Sequence, residues 1–206
     1  MEPAALDPGD YTGTYKFVGS RLSLDLVNTV SWPEHDRRHD WLDRYPNLIA
    51  WATEAGMVKR RQAARLLAIG HADDDRAGRV LANVRRQRAV LRDVFSPIVQ
   101  GHSPSTATID ALNELIGPAA ARRRVSRRPL GWTWLPVEEP EHLTTPVIFD
   151  AADLFVAGDH SRLGLCPACG WLYYDTTRNR SRRWCDMADC GSRDKARAHY
   201  HRHRER

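Results

Sequence analysis

The chain has 206 residues, a formal net charge of +5, 42% hydrophobic and 28% charged residues, and a mean hydropathy of −0.56. This length suits one compact domain with a small appendage, and this composition buries a core instead of staying disordered. No apolar run approaches the roughly 20 residues of a membrane-spanning helix, and the first residues carry no basic-then-apolar secretion signal, so the expected compartment is the cytoplasm.

Residues 1–15, with scattered Pro and Gly, read as a loose leader. Arg21 to Val30 places Leu22, Leu26, Val27 and Val30 at helical spacing; Leu22, Leu24 and Leu26 also alternate, so a strand stays open. Asn47 to Ala55 predicts a helix ended by Gly56, and Lys59 to Ile69 another stopped by Gly70. Asp73, Asp74 and Asp75 open a long helix to about Val99, with Val80, Leu81, Val84, Leu91, Val94 and Phe95 at its apolar positions. Ser105 to Leu115 is a helix bounded by Pro104 and Gly117-Pro118. Arg124-Val125 and Gly131 to Val137 predict strands around a turn at Arg128-Pro129. Thr145 to Ala157 is the last helix before the composition changes near Gly164.

Nothing in residues 1–160 forms a phosphate loop, a nucleophile elbow or a metal-binding His pair, and no enzymatic activity is expected. Asp25, Asn28 and Thr29 form a polar cluster among Leu24, Leu26 and Val27. It reads as an effector site or, preferably, as a satisfied buried network. Trp32, Trp41, Trp51, Trp132 and Trp134 line a pocket or, preferably, fill the core.

Cys166, Cys169, Cys185 and Cys190 give the spacing C-x2-C-x15-C-x4-C. Two close pairs across such a loop suit a tetrahedral Zn²⁺, and four sulfur ligands leave no open position for water, so one structural zinc is expected. Pro167 and Gly170 make the first pair a tight knuckle with N–H groups turned toward sulfur. Gly170 to Tyr174 predicts one strand of a hairpin and Ser181 to Trp184 its return. A helix follows from Arg193 to about His201, capped by Ser192 or Gly191 and donating the final ligand from its first turn, a treble-clef arrangement. Trp171, Tyr173, Tyr174 and Trp184 are expected to pack this hairpin and shield the metal. So small a module has the metal as its core, so loss of a ligand is expected to unfold it and spare the helical domain.

The fold expected is mainly α with a small β-hairpin, an α+β chain in which a helical N-terminal domain (16–163) precedes a treble-clef-like four-cysteine zinc finger (164–206). Residues 176–206 hold ten Lys/Arg and four Asp/Glu, a balance of +6, whereas the remaining 175 residues balance at −1. Four thiolates on Zn²⁺ remove about two of those charges and leave about +4. Arg178, Arg180, Arg182, Arg183, Arg193, Lys195 and Arg197 are thus candidate phosphate contacts. Arg193 and Lys195 open a helix whose N-terminus itself suits a phosphate. His199, His201 and His203 read as a basic tail.

The run from Cys166 through Arg178-Asn179-Arg180-Ser181-Arg182-Arg183-Trp184-Cys185 to Cys190-Gly-Ser-Arg193 with Lys195 resembles the CGNR zinc finger. Leu24-Asp25-Leu26-Val27-Asn28-Thr29 and the later Trp51 to Met57 resemble the ABATE domain that accompanies it. This resemblance implies a stress-induced transcription regulator whose finger binds DNA. The family motif has Asn where this chain has Ser192; as a helix N-cap the two are near-equivalent, as a base reader they are not, and the cap is preferred.

Three functions follow: a regulator whose finger contacts double-stranded DNA while the helical domain senses a small-molecule effector or forms a homodimer; a structural or protein-interaction module; or an RNA-binding protein. No membrane partner is expected.

Overall fold

The computed structural model describes residues 15–30, 39–196 and 200. Most of the leader, Trp32, Arg197, His199, His201 and His203 lie outside the described residues. Tyr15 is not loose: it is buried and its hydroxyl donates to the Asn47 carbonyl at 2.7 Å.

Six helices form the body: α1 (Leu22–Val27), α2 (Tyr45–Glu54), α3 (Arg60–Ala72), α4 (Asp74–Val99), α5 (Thr106–Ala120) and α6 (Thr145–Ala157). The Leu22/Leu24/Leu26 alternation therefore sits on a helix, not a strand. α4 is the spine and touches α1, α2, α3 and α5. The Asp73 carboxylate accepts from the Arg76 N–H at 2.8 Å and so satisfies an orphan donor at its first turn. Val80, Leu81, Val84, Leu91, Val94 and Phe95 are all buried, as their spacing predicts. Trp51 and Phe95 are the largest fully buried side chains; burying each such side chain contributes roughly 1.5–3 kcal/mol.

Two expected helix stops are helix interior. Gly70 lies inside α3, where a Cβ would come within 2.4 Å of the Tyr45 ring. This glycine serves close packing of α2 on α3, not termination. Gly117 and Pro118 lie inside α5, which runs on to Ala120. Pro118 falls in the last turns, where its missing N–H removes only one ladder bond. Gly56, with φ +74, does end the α2 segment as expected.

Between α5 and α6, β1 (Arg123–Arg127) and β2 (Leu130–Trp134) form an antiparallel hairpin. The tryptophans expected to share a core do so only in part: Trp51 is central with the half-buried Trp41 packed against the same core, Trp134 lies against Phe149 at the hairpin base, and Trp132 is 62% exposed.

After α6 comes a second hairpin, β3 (Leu163–Leu165) and β4 (Leu172–Tyr174). Here the strand pairing departs from expectation. β4 pairs with the strand before the knuckle, and residues 181–184 form no strand. The knuckle itself is the hairpin turn: the Gly170 N–H donates to the Cys166 carbonyl and the Cys166 N–H to the Trp171 carbonyl, both at 2.8 Å. Leu163 and Leu172 belong to the same buried cluster as the helices, and β3 touches α4. The metal module therefore shares its apolar core with the helical part.

Candidate metal centre and nucleic-acid interface

Three local structures bring the cysteines together. Cys166 and Cys169 flank the knuckle, whose sharp reversal needs the left-handed conformation of Gly170 at φ +69. Cys185 is held by Arg182, whose guanidinium donates to the carbonyls of Cys185 and Trp184 and, across the chain, to the Val18 carbonyl and the Ser20 hydroxyl. Cys190 comes from a π-helical turn, Met187–Gly191, that continues as helix through residues 192–196. The first helical turn thus donates the last ligand, as the treble-clef pattern predicts.

All four sulfurs lie within 4.8 Å of one another, with Cys169 and Cys185 at 3.4 Å and Cys185 and Cys190 at 3.6 Å. A tetrahedron of Zn–S bonds near 2.3 Å has edges of about 3.8 Å, so the cage fits zinc. No disulfide joins the cysteines. Hydrogen bonding from Cys169 and Cys185, and from the Ala168 and Cys185 N–H groups, holds the Cys166 thiol well below its ordinary range. The Cys166 sulfur, with burial added, pushes Cys169 up although Cys185 opposes it, and Cys166 and Cys169 together with burial push Cys185 up. Four crowded thiols cannot all ionise on their own; a dication at the centre reverses that. The Arg193 guanidinium reaches the Cys190 sulfur at 3.4 Å and completes the shell outside the ligands.

Trp171 and Tyr173 pack with Cys166, Cys185 and Cys190 in one buried cluster, so they shield the metal as expected. Trp184 packs partly against it.

The polar cluster of α1 is the other half of this site. Asn28 donates through Nδ2 to the Leu172 carbonyl at 2.8 Å and accepts from the Leu172 N–H at 3.0 Å. Its amide thus acts as a strand neighbour for the open edge of β4, which Gly19 continues by accepting from the Tyr174 N–H. The Thr29 hydroxyl donates to the Leu26 carbonyl, and Asp25 accepts from the Gly19 N–H at 2.7 Å. Burial pushes the Asp25 carboxyl up to about 7, against the Gly19 bond and the Arg182 charge, with Asp150 adding to the rise. All three residues bond within the protein, and the network joins α1 to the metal module.

Three buried residues that matter here escaped the sequence reading. Arg88 forms a buried bidentate pair with Asp40, both bonds at 2.7 Å. Although burial opposes it, Arg88 holds the Asp40 carboxyl below the usual range. Arg92 reaches from α4 to the Gly170 carbonyl in the knuckle. For the two arginines the signal was spacing: 88, 91, 92 and 95 lie on one face of α4 beside buried leucine and phenylalanine.

The basic residues separate into groups. Arg182 is turned inward, its guanidinium also 4.7 Å from the Tyr173 ring centroid. Arg180 pairs with Asp159 at 3.0 Å and Arg193 with Asp189 at 2.9 Å, both on the surface. Arg178, Arg183 and Lys195 are exposed, Arg183 lying over the Trp184 ring. Ser192 is not the helix cap: its conformation is helical and its hydroxyl donates back to the Met187 carbonyl. The cap is Asp186, whose carboxylate accepts from the Ala188 N–H at 2.9 Å. An acidic cap occupies the helix N-terminus that was expected to favour a phosphate, and Arg193 and Lys195 lie a turn further on.

No helix among the described residues is long and apolar enough to cross a membrane. The family model for ABATE, described as "Putative stress-induced transcription regulator", matches residues 20–158, and that for the CGNR zinc finger matches residues 162–203. No match is found among curated proteins.

Proposed function

The chain belongs to the ABATE family and carries a CGNR zinc finger, and from that membership we propose that it is a transcription regulator whose zinc-loaded finger binds duplex DNA through phosphates. The observation that carries this reading is the exposure of Arg178, Arg183 and Lys195 in the same segment of chain that supplies the four-sulfur cage. Arg180 and Arg193 join them by exchanging surface carboxylates for phosphate, and Arg197 extends the same basic segment. Arg182 is a positioning residue for Cys185.

Zinc supplies no chemistry here beyond holding the fold; the cage has no place for substrate. Phosphate contacts fix orientation and carry no sequence information. One short helix per chain reads few bases, so a homodimer bound to two half-sites is part of the proposal, as is a small-molecule effector for the helical domain.

The test is binding of the zinc-loaded chain to random-sequence duplex DNA, with Arg178, Arg183 and Lys195 changed together to Gln. Weaker binding to all sequences alike supports the reading. No binding of the zinc-loaded chain to DNA favours the interaction module, unchanged affinity in that variant removes the finger as the contact surface, and stronger competition by RNA than by DNA favours the RNA-binding alternative.

A further inference from the structure

The β1–β2 hairpin leaves the helical body with a base that packs and a tip that does not. At the base, the Trp134 and Phe149 ring centroids are 5.1 Å apart, and the Arg123 guanidinium lies 4.6 Å from the Phe149 ring and 4.0 Å from the Trp132 ring. Further out, Val125 is 76%, Leu130 86% and Trp132 62% exposed; no other element among the described residues exposes more than one large apolar side chain. The register pairs Val125 with Trp132 and Arg127 with Leu130. Because side chains alternate along a strand, these four share one face, and Arg124 lies on the other.

Five arginines fall between Arg122 and Arg128, and no acidic residue occurs from 115 to 137. Among the described residues, no carboxylate lies within ion-pair distance of any of these five arginines. A two-stranded ribbon with exposed aliphatic and aromatic side chains, set between arginines that no carboxylate neutralises, is a surface without its partner.

We infer that this hairpin is a second nucleic-acid contact, a ribbon that enters a groove of duplex DNA, with Arg124, Arg127 and Arg128 on phosphates and Leu130 and Trp132 against base edges. The identity of the polyanion rests on the DNA-binding reading above; the location does not depend on the finger. The major groove of B-DNA admits a two-stranded ribbon, whereas that of A-form RNA is too narrow for side chains to read. A second copy of this chain is disfavoured, since two such hairpins would bring ten arginines together. A membrane is disfavoured because Arg127 and Arg128 stand at the tip and both strands have open edges, whose backbone groups hydrocarbon cannot satisfy.

The experiment measures affinity of the full zinc-loaded chain for a random-sequence duplex against salt concentration. Changing Arg124, Arg127 and Arg128 together to Gln should weaken binding at least tenfold and make the slope of log K on log salt shallower by about 3. Changing Leu130 and Trp132 to Ala should weaken binding about tenfold at an unchanged slope, since apolar contacts release no counterions. Melting midpoints equal to wild type establish that both variants fold. If both bind DNA as wild type while the Arg178/Arg183/Lys195 variant binds weakly, the hairpin inference fails and the finger reading stands. If the hairpin variants weaken and the finger variant does not, the reverse holds. Capture of the wild-type chain by phosphatidylserine vesicles, lost in the Leu130/Trp132 variant at unchanged DNA affinity, would overturn the inference in favour of a membrane surface.

Discussion

Asn28 offers both halves of its amide to the backbone of Leu172, and no other residue type of its size supplies a donor and an acceptor together. Asn28→Ala leaves both Leu172 groups unpaired in a buried place and should cost about 1–3 kcal/mol. Asn28→Asp keeps the shape, removes the donor and should also destabilise. Denaturant melts of the two variants check this; an Asp variant as stable as wild type would show that the Nδ2 bond contributes nothing. Asp25 gives a pH dependence. Its carboxyl is raised on folding from the ordinary value near 3.8 to about 7, chiefly by burial. The folded state then binds the proton more tightly than the unfolded state, so this residue's contribution to stability falls as pH rises from about 4 to about 7. Asp25→Asn should therefore melt above wild type at pH 8 by several degrees, at roughly 2–4 °C per kcal/mol, and the difference should shrink at pH 5.5. Zinc loss affects both proteins and cancels. An identical difference at both pH values would contradict the raised carboxyl.

At the scale of elements, zinc removal is the informative perturbation. Leu163 and Leu172 are shared with the helical core, the Trp171 indole donates to the Val30 carbonyl, and Arg92 reaches the Gly170 carbonyl. Chelation, or Cys166→Ser, should therefore lower the melting midpoint of the helices as well as unfold the knuckle, by roughly 10 °C or more. A helical melting curve unmoved by chelation would show that the finger is independent after all. The long helix α4 was legible because it presents a 3.6-residue apolar stripe to one core. Buried at five successive positions, α1 was not told from a strand, whereas the ligand set was legible because its spacing has few other uses. Strand partners were not. β3 is only Leu163–Leu165, too short for periodicity, and Ser181 to Trp184 has strand-like neighbours but is held by the Arg182 guanidinium and the Tyr173 hydroxyl. Gly70 and Ser192 misled for a related reason: a glycine or serine near a helix end suggests a terminus, and only tertiary packing shows otherwise.

For the whole molecule, charge is distributed in two places that a net count conceals. The C-terminal segment holds the surplus, whereas the Arg122–Arg128 cluster is balanced on paper by acids that the structure places elsewhere, such as Asp150 and Asp153 with Arg21, or Glu139 and Glu141 with Arg76. Averaging over 175 residues hid the hairpin. The central claim is that this protein holds duplex DNA by phosphate contacts made from a zinc-ordered surface. The most direct measurement is the affinity of the zinc-loaded wild-type chain for random-sequence duplex DNA across a salt series. Six finger contacts and three from the hairpin predict a straight line of log K on log salt with a slope of about −8, becoming shallower to about −5 when Arg178, Arg183 and Lys195, or Arg124, Arg127 and Arg128, are changed to Gln. A slope near zero, or no binding at low salt, would contradict the account.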